Sequence, residues 1–148
     1  MGALADAALA EGGEVIGVIP RAMVDREVAH DGCSELVVVE SMHERKLVMT
    51  QRADAFLTLP GGTGTLDEFV EALSWTQLGI HAKPSGLLNA DGFFDGLVDY
   101  FTQAGAAGFL PEDFASLLLV DDDIERLVDR LTQWKPPRSE RWLGTGDA

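Results

Sequence analysis

Two stretches of this chain carry residues able to hold an anion and act on a reacting centre. Residues 59–73 read LPGGTGTLDEFVEAL, with Gly61, Gly62 and Gly64 between an apolar run and an acidic, helix-like segment. Glycines let the main chain approach a ligand closely and adopt positive φ. Successive amides then form a nest for an anion, Thr63 lies among them, and Thr65 can add a hydroxyl donor. The plain alternative is a glycine-rich turn. Glu68 has two readings as well. With Thr65 it fits a capping box, T-x-x-E before an apolar run. A carboxylate beside an anion nest also suits a reacting centre that becomes positive, and the two roles are compatible.

The second stretch is SMHERK, residues 41–46. Ser41 and Glu44 again fit a capping box. Arg45 and Lys46 fall in a first helical turn, where positive charge opposes the helix dipole. A solvated face would explain them; so would an anionic ligand. His30, His43 and His81 show no metal-ligand spacing, so no metal site is expected.

These stretches need a frame, and the hydrophobic pattern supplies one. Residues 3–11 read as helix, stopped by Gly12 and Gly13. Apolar runs at 14–20, 35–40, 54–59, 84–89 and 116–120 read as buried strands, 42–53, 66–79 and 123–134 as helices, and 91–107 as largely helical. Residues 21–34 read as a polar loop with room for one helical turn. Asp121 to Asp123 suit the start of the last helix as cap and dipole partners. Strands alternating with helices mean an α/β fold: a mainly parallel sheet with helices on both faces. Each candidate stretch then follows a strand and opens a helix, at the sheet edge where open α/β folds bind ligands. Residues 1–134 read as one domain and 135–148 as an irregular tail that Trp134 and Trp142 can pin to the body.

Composition narrows the partners. A net charge of −14 argues against nucleic acid or anionic lipid. No apolar run approaches the ~18 residues of a membrane span. The single cysteine, Cys33, excludes an internal disulfide and fits a cytoplasmic setting.

Taken together, SMHERK and LPGGTGTLDE resemble the LOG family, the cytokinin riboside 5′-monophosphate phosphoribohydrolases, whose mark is PGGxGTxxE. The likeness continues through WTQLGIHAKPSGLLNADGFFDGLVDYF (75–101) and back through GEVIGVIP (13–20), covering roughly residues 1–133. It implies a Rossmann-like sheet, a homodimer, no metal or organic cofactor, and a nucleotide monophosphate as substrate. The implied reaction is hydrolysis of the N-glycosidic bond of N6-modified AMP, or AMP itself, to free base and ribose 5-phosphate. By motif, Arg45 and Glu68 match the catalytic pair. Gly61, Gly62, Thr63, Gly64 and Thr65 match the phosphate loop, and Met42 and Lys46 match residues lining the nucleotide. Breaking C1′–N9 builds an oxocarbenium-like centre, which a carboxylate stabilises while orienting or deprotonating water. Arginine is a poor acid, so Arg45 reads as an electrostatic and hydrogen-bonding group.

Proteins of this kind have also carried the label lysine decarboxylase. A pyridoxal phosphate enzyme needs a Schiff-base lysine, and the lysines here are Lys46, Lys83 and Lys135; none sits in a segment resembling a cofactor site. The rivals to the hydrolase are a non-catalytic nucleotide or molybdenum-cofactor binding module and an inactive fragment. The fragment reading has a basis: family members begin with a strand, a helix and a second strand ending in GGGxxGxMG. Met1 and Gly2 match only its last two residues, so the chain reads as N-terminally truncated relative to the family. In the usual doubly wound order, 3-2-1-4-5-6, segment 14–20 is then the third strand and 35–40 the fourth, and the missing pair belongs between them.

Overall fold

The structure is a computed structural model that describes residues 1–24, 32–111 and 113–137. The chain divides into two units, Met1–Ala53 and Asp54–Ala148.

In the first unit, α1 (Gly2–Ala10) ends where Gly12 takes a φ of 79° and the Gly13 amide donates to Ala8 O at 2.8 Å. Positive φ is cheap for glycine, so the pair stops the helix as its sequence implies. β1 (Ile16–Pro20) pairs in parallel with β2 (Glu35–Val39), from Ile16 opposite Glu35 to Pro20 opposite Val39. α2 (Arg21–Val24) is the single turn that 21–34 had room for. α3 (Met42–Arg52) packs on both strands, and Arg52 holds Glu35 in a bidentate pair at 2.6 and 2.8 Å. The direct pairing of β1 with β2 corrects one expectation. No strand lies between segments 14–20 and 35–40, because residues 21–34 are long enough for a parallel connection between neighbours.

The second unit holds a three-stranded parallel sheet in the order β3-β4-β5, with β3 Phe56–Thr58, β4 Ser85–Leu88 and β5 Leu118–Asp121. Every ladder is parallel, as the continuous apolar strands imply, but the described strands form two sheets rather than one. Successive residues of β4 face opposite layers. A Cβ on Gly86 would lie 3.0 Å from Leu127 Cδ1 of α6 (Ile124–Gln133), so glycine permits the close approach of that helix. Leu87, fully buried, points the other way into a cluster with Phe69 and Leu73 of α4 (Thr63–Leu78), Phe94, Phe114 and Leu117. Phe94 caps the start of α5 (Asp95–Ala106). Helices therefore cover both faces.

Local signals hold at several ends. Asp123 caps α6, its carboxylate accepting from the Arg126 amide at 2.9 Å. Gly79, at φ 77°, closes α4. Trp134 packs on the core cluster and donates from Nε1 to Ser116 O at 2.9 Å. Trp142 and His30 lie outside the described residues.

Candidate functional site

The glycine stretch sits where the pattern places it, between the carboxyl end of β3 and α4, but the helix begins earlier than residue 66. Gly62 is the N-cap, with extended φ −95° and ψ −156°, and the first helical bond runs from the Leu66 amide to Gly62 O at 3.1 Å. Thr65 is consequently the third helical residue and no side chain caps the helix. The Thr65–Glu68 capping box is not formed. Gly61 is part of the reason: Thr65 packs where a side chain at 61 would stand, as the third residue of a helix already begun.

This start has a chemical consequence. The amides of Thr63, Gly64 and Thr65 precede the first helical bond, so they have no intrahelical acceptor. Gly61, Gly62, Thr63 and Gly64 are exposed, and a Cβ on Gly62 or Gly64 would meet nothing within 4 Å. A Cβ on Gly61, by contrast, would run into Thr65 Oγ1 and come within 2.9 Å of Thr65 Cβ. Thr65 therefore folds back over Gly61. Glu68, one turn further and half-buried, shares the Thr65 face of α4 at i, i+3. The five loop residues and Glu68 thus lie on the first two turns of one 16-residue helix and the loop before it, where open amides and the helix dipole supply positive potential.

The second stretch behaves differently. Ser41 caps α3, its Oγ accepting from the Glu44 amide at 3.1 Å, while Glu44 Oε2 accepts from the Glu40 amide at 2.7 Å. The capping reading of Ser41 and Glu44 holds in substance, the second bond reaching one residue before the cap. Met42, Arg45 and Lys46 share the first turns of α3, Met42 exposed and both cations half-buried. Half-burial of this kind is what long basic side chains show when their stems pack and their charged heads stay in water. Arg21 stands at the same end of this unit's sheet, bonding Glu40 through Nε at 3.0 Å; nothing in the sequence pattern marked that pairing.

One turn stands at the carboxyl edge of the second unit's sheet, just before α5. Residues 91–107 are largely helical as read, α5 filling most of the range and a 3-10 turn at Ala90–Gly92 preceding it. Asp91 takes φ 52° and ψ 26°, the one positive-φ non-glycine among the described residues, and Gly92 follows at φ 72°. Asn89 locks the turn, its Oδ1 accepting from the Phe94 amide and its Nδ2 donating to Asp95 Oδ1, both at 2.7 Å. The signal was present as N-x-D-G directly after an apolar strand.

Among the described residues no group of His, Cys, Asp and Glu is arranged to hold a metal ion, and no helix is long and apolar enough to cross a membrane. Lys83 precedes Pro84 at the amino end of β4, the opposite end of the sheet from the glycine loop.

Comparison with known proteins shows the family. The family model described as "Possible lysine decarboxylase" matches residues 1–131. A probable cytokinin riboside 5′-monophosphate phosphoribohydrolase of Oryza sativa subsp. japonica is 48% identical over 136 residues, 92% of this chain and 60% of that protein. One from Arabidopsis thaliana is 37% identical over 153 residues, all of this chain and 72% of that protein. The chain belongs to the LOG family. A bacterial LOG-family relative, the cytokinin riboside 5′-monophosphate phosphoribohydrolase of Rhodococcoides fascians, is 47% identical over 129 residues, 86% of this chain and 65% of that protein. The chain spans about 60% of the length of the first plant relatives. In LOG-family terms, the uncapped helix and Glu68 are the PGGxGTxxE mark, and the capped helix with Arg45 and Lys46 is the basic stretch.

Proposed function

We propose that this chain hydrolyses the N-glycosidic bond of adenosine 5′-monophosphate and its N6-modified forms, releasing free base and ribose 5-phosphate. The observation that carries the reading is the start of α4: three amides with no intrahelical acceptor, room for an anion at Gly62 and Gly64, and Glu68 one turn further along the same helix. The names of the relatives support the same chemistry, as does the pairing of two motifs in one sequence.

The 5′-phosphate rests on the amides of 63–65, with Gly61 and Gly62 letting the main chain come close. Binding energy from the phosphate then fixes the ribose, remote from the bond that breaks. As C1′–N9 lengthens, positive charge grows at C1′ and the bonding pair moves to the purine. Glu68 stabilises that charge and takes a proton from the water whose oxygen bonds to C1′. Arg45 keeps its charge throughout and acts by electrostatics and hydrogen bonding, with Lys46 and Met42 contributing to nucleotide binding. Lys83, at the far end of β4, has no place in this chemistry, which speaks against a Schiff-base role for it. A homodimer and a cytoplasmic location belong to the same proposal.

The phosphate requirement tests it. Adenosine should be a far poorer substrate than AMP, in kcat as well as KM, because the phosphate contacts are used to position the sugar. Equal rates on the two would remove the glycine loop from the mechanism.

A further inference from the structure

β3, the glycine loop, α4 and β4 form a βαβ unit with the order of a dinucleotide-binding fingerprint: strand, glycine turn, helix, strand, then an acidic residue. In such units the acidic residue at the end of the second strand accepts hydrogen bonds from ribose hydroxyls. Here that position belongs to the turn at 89–92. We propose that Asp91 is the ribose-binding carboxylate of this site, accepting from the 2′- or 3′-hydroxyl of the nucleotide whose phosphate lies on the glycine loop. The inference rests on the nucleotide reading above and assigns it one further residue.

Three observations carry it. The first is register. β3 and β4 pair from Phe56 opposite Ser85 to Thr58 opposite Leu87. Both strands run the same way, so the glycine loop after β3 and the turn that holds Asp91 after β4 leave neighbouring strands at the same carboxyl edge of the sheet. The second is backbone conformation. Asp91 holds a left-handed φ of 52° that glycine would adopt more readily. The turn is over-determined around it: Asn89 bonds the Phe94 amide and Asp95, Phe94 is buried, and a Cβ on Gly92 would come within 2.6 Å of Asp95 Oδ2. A non-glycine residue kept in that conformation points to a use for its side chain. The third is availability. Asp121, at the end of β5, is bound by Arg126 and Arg130, and Asp95 is bound by Asn89. The Asp91 side chain is exposed and makes no hydrogen bond or ion pair among the described residues.

Chemistry gives the contact a purpose. In the glycosidic transition state, hydrogen bonds to the hydroxyl next to the reacting carbon strengthen as charge develops. A carboxylate there both selects ribose and supports the cation.

The experiment compares AMP with its 2′-deoxy and 3′-deoxy analogues in wild type, Asp91→Gly and Asp91→Asn. Glycine relieves the left-handed residue, so Asp91→Gly should melt at or above the wild-type temperature, and altered turnover cannot then be ascribed to unfolding. The kcat/KM ratio of AMP over one deoxy analogue should fall roughly 10- to 100-fold in Asp91→Gly, the worth of a hydrogen bond to a charged acceptor, and by less in Asp91→Asn. Taking a ratio of ratios cancels the differing intrinsic reactivity of the analogues. Ratios that agree within about twofold between wild type and Asp91→Gly for both analogues overturn the proposal while leaving the hydrolase intact. If wild type releases no adenine, calorimetry with ribose 5-phosphate and 2-deoxyribose 5-phosphate decides separately. Discrimination lost in Asp91→Gly then supports the ribose contact without the enzyme, and equal affinities in both proteins overturn it.

Discussion

Gly64→Ala separates a phosphate cradle from a plain turn, because the two readings give stability and activity different fates. Gly64 is the second helical residue of α4, is exposed, has an ordinary negative φ, and offers nothing within 4 Å of an added Cβ. Glycine inside a helix costs about 0.8–1.0 kcal/mol relative to alanine. Near the helix start part of that applies, so Gly64→Ala should gain up to about 1 kcal/mol, or about 2–4 °C in Tm for a chain of this size. The same methyl stands beside the amides proposed to meet the phosphate, so kcat/KM on AMP should fall by roughly tenfold or more, the 1.4 kcal/mol of one weakened charged hydrogen bond. Gly61→Ala is the internal contrast, since its Cβ runs into Thr65 and must displace the loop; it should lose stability by about 1–3 kcal/mol along with activity. Thermal melts and steady-state kinetics on the purified variants read both quantities. A Gly64→Ala protein that is stabilised and fully active on AMP would refute the cradle.

Other consequences are more local. Ser41→Ala removes the bond to the Glu44 amide and should cost about 0.5–2 kcal/mol in chemical denaturation, with α3 loosened. Leu87→Ala empties the fully buried centre of the core cluster and should cost about 2–5 kcal/mol, read as a lower urea midpoint with an unchanged slope. Burial, with the Lys83 charge second, holds His81 down to about 4 from its ordinary 6.5. Between those values the unfolded chain binds more protons than the native one, so this stability is complete above pH 6.5 and is lost as pH falls toward 4. A displacement of that size is worth about 3 kcal/mol at full burial, and the half-exposed ring should show about half of it. His81→Phe should flatten the difference between denaturation midpoints at pH 7.5 and pH 5.

What the sequence revealed and what it hid follow from the range of the forces involved. Strand–helix alternation is a local pattern, and every run assigned as a strand forms one, with ends within two residues of the reading. Caps made by side chains were legible at Ser41 and Asp123 because oxygen, amide and spacing all lie within one turn. The α4 start was misplaced for the same reason in reverse: Thr65 and Glu68 have the right spacing for a box, but Thr65 folds back over Gly61 in a helix that begins at Thr63. Strand neighbours were beyond reach, since the pairing of β1 with β2 depends on tertiary contacts rather than on either segment. The reading of 91–107 as largely helical did not mark off the turn at 89–95, because its apolar residues, Phe93, Phe94 and Leu97, also fit helical spacing. Its positive-φ pair is visible only in three dimensions. The glycine loop and Glu68 were legible as a cluster, since both belong to one continuous stretch.

The measurement that bears most directly on the central claim is product identification after incubating the protein with AMP, with Glu68→Gln alongside. The account predicts free adenine and ribose 5-phosphate in equal amounts from wild type. It predicts little turnover but retained nucleotide binding from Glu68→Gln, which keeps the side-chain shape and removes the charge that stabilises the forming cation. Adenine released by Glu68→Gln within a few-fold of the wild-type rate would contradict it and leave Glu68 a structural residue of α4.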